Sequence, residues 1–210
     1  MLETIAQLGI GFIVALSGAL MPGPMLAFVM AKSISFGERA GFFAAGGHVL
    51  VEIGILALIA AGLGFVLTSA RFQVFVGVLG GCLLVVLGLL TFIKLRATTP
   101  RLSSAGLRHH PIVGGVLFST VLNPNVFIWW ATVGFAMLME AVLVASLIGA
   151  VLWLVGHFLA DILCFSAVSY MVARGEWSQK GKVQKYLLVT FGCVLLVFGV
   201  YFLIKYGVRI

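Results

Sequence analysis

The chain has 210 residues, 62% of them apolar and 9% charged, with a mean hydropathy of +1.23 and a net charge of +7. Soluble domains sit nearer half apolar and a quarter charged, so a water-soluble fold is excluded and lipid is the solvent. The basic residues fall in short loops between apolar runs, which argues for a topology signal at a bilayer and against nucleic acid as a partner.

Runs of about 20 apolar residues predict six helices, over 5–30, 41–67, 72–94, 111–135, 142–172 and 186–205. The expected fold is all-α: one polytopic membrane domain spanning 1–210, with a cytoplasmic linker at 96–110. Met1-Leu2-Glu3-Thr4 lacks a basic start, and the apolar run outlasts a signal peptide, so helix one is expected to stay. That helix is broken at Met21-Pro22-Gly23-Pro24, where proline removes an amide donor and clashes with the preceding turn. Helix two carries Gly47-His48-Val49-Leu50-Val51-Glu52 near its middle. Helix four is broken at Leu122-Asn123-Pro124-Asn125, and beyond the break Trp129 and Trp130 are expected in an interfacial aromatic belt. Helix five, long enough to tilt, carries Gly156-His157-Phe158-Leu159-Ala160-Asp161. Cys82, Cys164 and Cys193 lie in apolar runs without a Cys-x-x-Cys, which supports neither a disulfide framework nor a thiol relay.

The two polar inserts read Gly-His-x-Leu-x-acid in both cases, and the repeat extends further. Gly81-Cys82 through Gly88 in helix three matches Gly192-Cys193 through Gly199 in helix six, each followed by Ile-Lys (Ile93-Lys94, Ile204-Lys205). Ser17 through Pro22 aligns with Ser119 through Pro124. Three matches in the same order make two repeats, about 1–95 and 111–210, of three helices each. An odd number of spans forces the second repeat into the membrane upside down, the arrangement that serves alternating access.

Charge fixes the orientation. The loops after helices one, three and five hold Lys32, Arg39, Lys94, Arg96, Arg101, Arg108, Arg174, Lys180, Lys182 and Lys185, whereas the other side holds Arg71, Lys205 and Arg209. This bias places both termini outside the cytoplasm, in the inner membrane.

Glu52 and Asp161 are the acids inside the apolar segments, and each lies four residues after a histidine, on the same helix face. Ionisable groups at this depth cost about 2.5–3.5 kcal/mol each on insertion scales, so they usually mark a pathway or a site. The pair can meet a substrate ammonium group, carry protons or hold a cation, and the two acids are expected to approach each other across a central cavity. The plainer alternative is a polar pair that joins packed helices. His48, Glu52, His157 and Asp161 also form a four-ligand set for a divalent metal, provided the helices pack closely, which Gly47 and Gly156 would permit. The half-helices starting at Pro24 and Pro124 would aim amide donors and a positive dipole end at an anionic group. Gly23, Asn123 and Asn125 stand beside them, whereas Ser17, Ser119 and Thr120 are expected to bond back to their own helices. Gly77, Gly81, Gly88, Gly192 and Gly199 read as helix-packing contacts.

Met21-Pro22-Gly23-Pro24 in helix one and Leu122-Asn123-Pro124 in helix four, within six helices over the whole chain, resemble the lysine-exporter (LysE-type) superfamily of small translocators. That group includes threonine and homoserine efflux proteins; it often has Lys where this chain has Asn125. The resemblance implies export of an amino acid or related small metabolite in exchange for protons. Expected partners are that solute, protons and the bilayer, with a homo-oligomer open and no cofactor. Pro22, Gly23, Pro24, Asn123, Pro124 and Asn125 would take the carboxylate, and Glu52 and Asp161 the amine or proton, beside His48 and His157. The alternatives are a divalent-cation exporter and a non-transporting membrane subunit. An enzyme is not expected, because no nucleophile–base arrangement is present.

Overall fold

The structure, a computed structural model, describes residues 1–20, 23–62, 69–96, 109–174 and 181–208. Met21 and Pro22, the end of predicted helix two at 63–68, and most of the two basic loops lie outside the described residues. Among the described residues the elements are all helical: α1 (Leu2–Ala19), α2 (Pro24–Phe36), α3 (Ala40–Ala60), α4 (Ala70–Arg96), α5 (Pro111–Ser119), α6 (Pro124–Trp129), a π-helical turn Trp130–Gly134, α7 (Phe135–Arg174) and α8 (Gly181–Gly207).

Predicted helix one is therefore two helices, α1 and α2. Gly23 is fully extended (φ −168°, ψ −179°) and Pro24 opens α2, because the residue before a proline is pushed out of the α region while proline suits the first helical position. Predicted helix four breaks by the same local rule: Asn123 (φ −150°, ψ 83°) precedes Pro124, which opens α6. The two ends of α2 differ in kind, since it stops at Gly37, whose φ of +84° favours a residue without a Cβ.

The connection expected between helices four and five, around 136–141, lies later. The helix runs through it and is broken by a kink at Ala145 and Ser146, where φ reaches +58°. A Cβ on Gly149 would collide with that of Ala145 and crowd the Ala141 carbonyl, so the two arms of α7 pack tightly just past the kink. No turn-forming residue marks 136–141, and an apolar helix continues until geometry forces the kink.

Four helices are long and apolar enough to cross a bilayer, Leu2–Ala19, Ala40–Ala60, Ala70–Ile93 and Phe135–Arg174, with Pro24–Phe36 and Gly192–Gly207 as shorter apolar pieces. Their outward faces are apolar too: Ile13, Leu50, Ile53, Val86, Leu147 and Leu163 are all exposed. A helix that is apolar all round belongs in lipid.

Packing runs through glycines, because close backbone approach is how helices gain contact where lipid is as apolar as leucine. On α1 against α7, a Cβ at Gly11 would strike the Trp153 carbonyl and one at Gly156 the Leu8 carbonyl. On α3 against α5, Gly47 meets the Ile112 carbonyl and Gly115 the Ala44 carbonyl. Gly47 and Gly156 thus admit α5 and α1, not each other's helix as the sequence suggested. The expected contacts of the other glycines hold: Gly77 faces Tyr206, Gly81 faces Gly199, and Gly88 faces Leu196 and Gly192, all joining α4 to α8. Two links tie one end of the bundle together. Arg174 Nε donates to Glu38 Oε2 at 2.8 Å, and the His110 ring sits edge-on to Phe36 and Phe43. These contacts bring Glu38, His110 and Arg174, which border the segments after predicted helices one, three and five, to the same end of the bundle.

Candidate functional site

A cavity of about 410 Å³ opens between the halves of the bundle. Its walls come from both helix breaks (Gly23, Pro24, Asn123, Asn125) and from both polar inserts (His48, Glu52, His157, Asp161). Of the site residues expected from sequence, Pro124 is buried beside the cavity without lining it, and Pro22 lies outside the described residues. The remaining wall is largely apolar, with Met25, Val126, Ile128 and Phe165 among its residues.

Glu52 is the hub. Its Oε1 accepts from Trp130 Nε1 at 2.9 Å, lies 3.1 Å from His157 Nε2, and lies 3.4 Å from His48 Nε2. The i, i+4 spacing puts His48 and Glu52 on one face of α3 and His157 and Asp161 on one face of α7. His157 Nε2 spans the two acids, 3.1 Å from Glu52 Oε1 and 3.4 Å from Asp161 Oδ2. The two acids are thus brought together, as the repeated motif led one to expect. All four side chains are buried, Glu52 only 3% and Asp161 only 2% exposed. Glu52 Oε2, Asp161 Oδ2, Asn123 Oδ1 and His157 Nδ1 have no hydrogen-bond partner among the described residues.

Two groups were not expected here. Trp130, assigned by sequence to an interfacial belt, is wholly buried and donates to Glu52 instead. It starts the π-helical turn, and such turns frequently re-aim a side chain at functional sites. Trp129, Trp130 and Trp153 pack their rings around His157, with Trp153 stacked on it at 5.4 Å. The second is Ser119. Ser17 and Thr120 do bond back to their own helices, to the Val14 and Val116 carbonyls, but Ser119 Oγ meets His48 Nδ1 at 2.6 Å. Its place in the repeat opposite Ser17 gave no warning, because the partner comes from a different helix.

Neither Gly23 nor Asn123 caps its helix with a side chain. Side chains therefore leave the first amides of α2 and α6 uncapped; in α6 the Val126 amide donates to the Asn123 carbonyl at 3.3 Å, so Asn125 carries the first amide beyond Pro124. One chamber holds helix N-termini and carboxylates together, which suits a small solute carrying both signs of charge.

The LysE type translocator family model matches residues 16–206. No curated protein and no solved structure gives a significant match. The family match spans nearly the whole chain, covering both breaks, both polar inserts and the cavity they line. The chain is a multi-pass membrane protein and belongs to the LysE type translocator family, a family of transporters.

Proposed function

We propose that this protein exports an amino acid or a closely related metabolite from the cytoplasm across the inner membrane, driven by proton exchange. The observation that carries the reading is the shared cavity, in which two uncapped helix N-termini and two carboxylates meet. The solute carboxylate binds at the start of α2 and α6, where peptide dipoles supply the attraction. Its ammonium group lies toward Glu52 and Asp161, and the apolar wall takes the side chain. A volume of about 410 Å³ accommodates a solute of that size with its waters.

The architecture that goes with this reading is six spans in two inverted repeats, about 1–95 and 111–210, joined by the linker 96–110. It is supported by the pairing of elements. α1 packs on α7 and α3 on α5, each pairing the first helix of one repeat with the second helix of the other, while α4 packs on α8. A two-fold axis relating the repeats generates that set of pairs, and in the inverted reading that axis lies in the membrane plane.

The solute reading is tested at the breaks. Pro22→Ala, Gly23→Ala and Pro24→Ala together favour a continuous helix and remove the free N-terminus of α2. The expected result is a weakened affinity for amino acids, with Glu52 and Asp161 untouched, measured by binding to purified protein and by uptake into proteoliposomes. Uphill transport should also stop when a protonophore collapses the gradient. If a broad panel of amino acids neither binds to nor moves through the wild-type protein, the reading fails.

Orientation has its own test, after the native cysteines are replaced. Exposed His109 and exposed Ser146 lie in segments that the charge bias assigns to opposite sides. In intact cells, a membrane-impermeant thiol reagent should label Ser146→Cys, while His109→Cys should react only after lysis. The reverse pattern would invert the topology.

A further inference from the structure

We propose that the cluster in the cavity is a binding site for a divalent transition-metal ion, held by His48 Nε2, Glu52 and Asp161 and set up by Ser119. The inference stands on side-chain geometry and not on the solute reading. One donor atom from each of His48, Glu52 and Asp161 lies within 4.8 Å of the others, and His48 Nε2 is 3.4 Å from Glu52 Oε1. Ligands at about 2.0–2.2 Å from a tetrahedral ion stand roughly 3.3–3.6 Å apart, so small side-chain rotations close the set.

Ser119 decides which nitrogen of His48 is free. Met25 Sδ lies 3.9 Å from its hydroxyl, within reach as an acceptor for the Ser119 proton. In the tautomer this pairing favours for metal binding, the Ser119 oxygen accepts at 2.6 Å from His48 Nδ1, which carries the ring hydrogen. Nε2 is left with its lone pair, directed at Glu52 and the cavity. An imidazole whose far nitrogen donates to a fixed oxygen is the usual outer-shell arrangement behind a metal-ligating histidine.

The carboxylates point the same way. Among the described residues Glu52 Oε2 and Asp161 Oδ2 are buried without a hydrogen-bond partner, and both residues line the cavity. Such oxygens are costly at membrane depth unless something positive meets them. Deprotonated as metal ligands must be, two carboxylates and a neutral imidazole carry two negative charges. A divalent cation brings the site to neutrality in one step, whereas an ammonium group cancels only half. His157 Nε2, 3.1 Å from Glu52 and 3.4 Å from Asp161, orients both acids from the side. A three-ligand set would leave a further coordination position for water or solute. A mixed imidazole–carboxylate set suits ions such as zinc, cobalt, nickel or manganese. Bound metal and a solute ammonium group would compete for the same acids.

The test uses tag-free, full-length protein in detergent, titrated with Co²⁺ and followed by its visible absorption. One ion per chain should bind saturably, with the intense bands of a low-coordinate site, and Zn²⁺ should displace it. Ser119→Ala keeps every ligand, yet should weaken binding roughly 10–100-fold, and Ser119→Thr should recover most of it. Glu52→Gln and Asp161→Asn should remove saturable binding in protein that still elutes as a single species. His109→Ala with His110→Ala, a surface pair, should change nothing. The proposal is overturned if wild type shows no saturable binding, if Glu52→Gln binds as wild type does, or if only the His109/His110 variant loses the ion. Because no transport is measured, amino acid export without metal binding would sink this inference alone. Metal binding without amino acid binding would sink the solute reading alone.

Discussion

Glu52→Gln should cut export by roughly 30-fold or more while the protein still folds and inserts. Glu52 Oε1 gathers Trp130, His157 and His48 from three different elements, and no other acid in the cavity has that many partners. Glutamine keeps a carbonyl oxygen for the Trp130 N–H, so the packing around it survives. What it removes is the negative charge that faces the solute. Removing one member of a buried, hydrogen-bonded charge pair costs about 2–5 kcal/mol, which at about 1.4 kcal/mol per tenfold sets the expected loss. Asp161→Asn should fall in the same direction but less, since Asp161 has His157 Nε2 at 3.4 Å whereas three nitrogens lie within that distance of Glu52. Initial rates in proteoliposomes, beside circular dichroism and size-exclusion profiles, give the answer. Wild-type rates in Glu52→Gln would make that acid a structural joint and remove the centre of the site.

The largest effect on stability should come from two glycines, and the chain carries its own controls. In Gly47→Ala and Gly156→Ala, the added methyl runs into the Ile112 and Leu8 carbonyls. Backbone cannot rotate aside as a side chain can, so α3 must back away from α5, and α7 from α1. Overpacking of this kind costs about 1–3 kcal/mol, and in a chain of this size each kcal/mol moves the melting temperature by about 2–4 °C. Gly46→Ala and Gly54→Ala put the same methyl on the same helix as Gly47 but into open space. Alanine being the better helix former, those two should melt at or slightly above wild type. Equal melting of Gly46→Ala and Gly47→Ala in detergent would show that close approach of α3 and α5 does not hold the bundle.

Some of the site was written locally, and some was not. The helix breaks were readable because proline acts on its own neighbours: Pro24 and Pro124 each force the preceding residue into extended backbone and open a new helix. The pairing of His48 with Glu52 and of His157 with Asp161 was readable for the same reason, as four residues is one turn. Trp130 was misassigned, because an apolar ring near a helix end looks alike whether it faces lipid or core. Only the π-helical turn shifts it inward onto Glu52.

The sequence by itself determined the solvent, the helical class and the duplicated inserts. These follow from composition and from spacing within a turn or two, where the chain has few alternatives. The tertiary structure alone decided that Gly47 admits α5 and Gly156 admits α1, that the helix kinks at Ser146, and that Ser119 meets the ring of His48. Each of those depends on an atom from a distant element arriving within a few ångströms. An apolar helix packs on several neighbours almost equally well, so its own residues do not say which one comes.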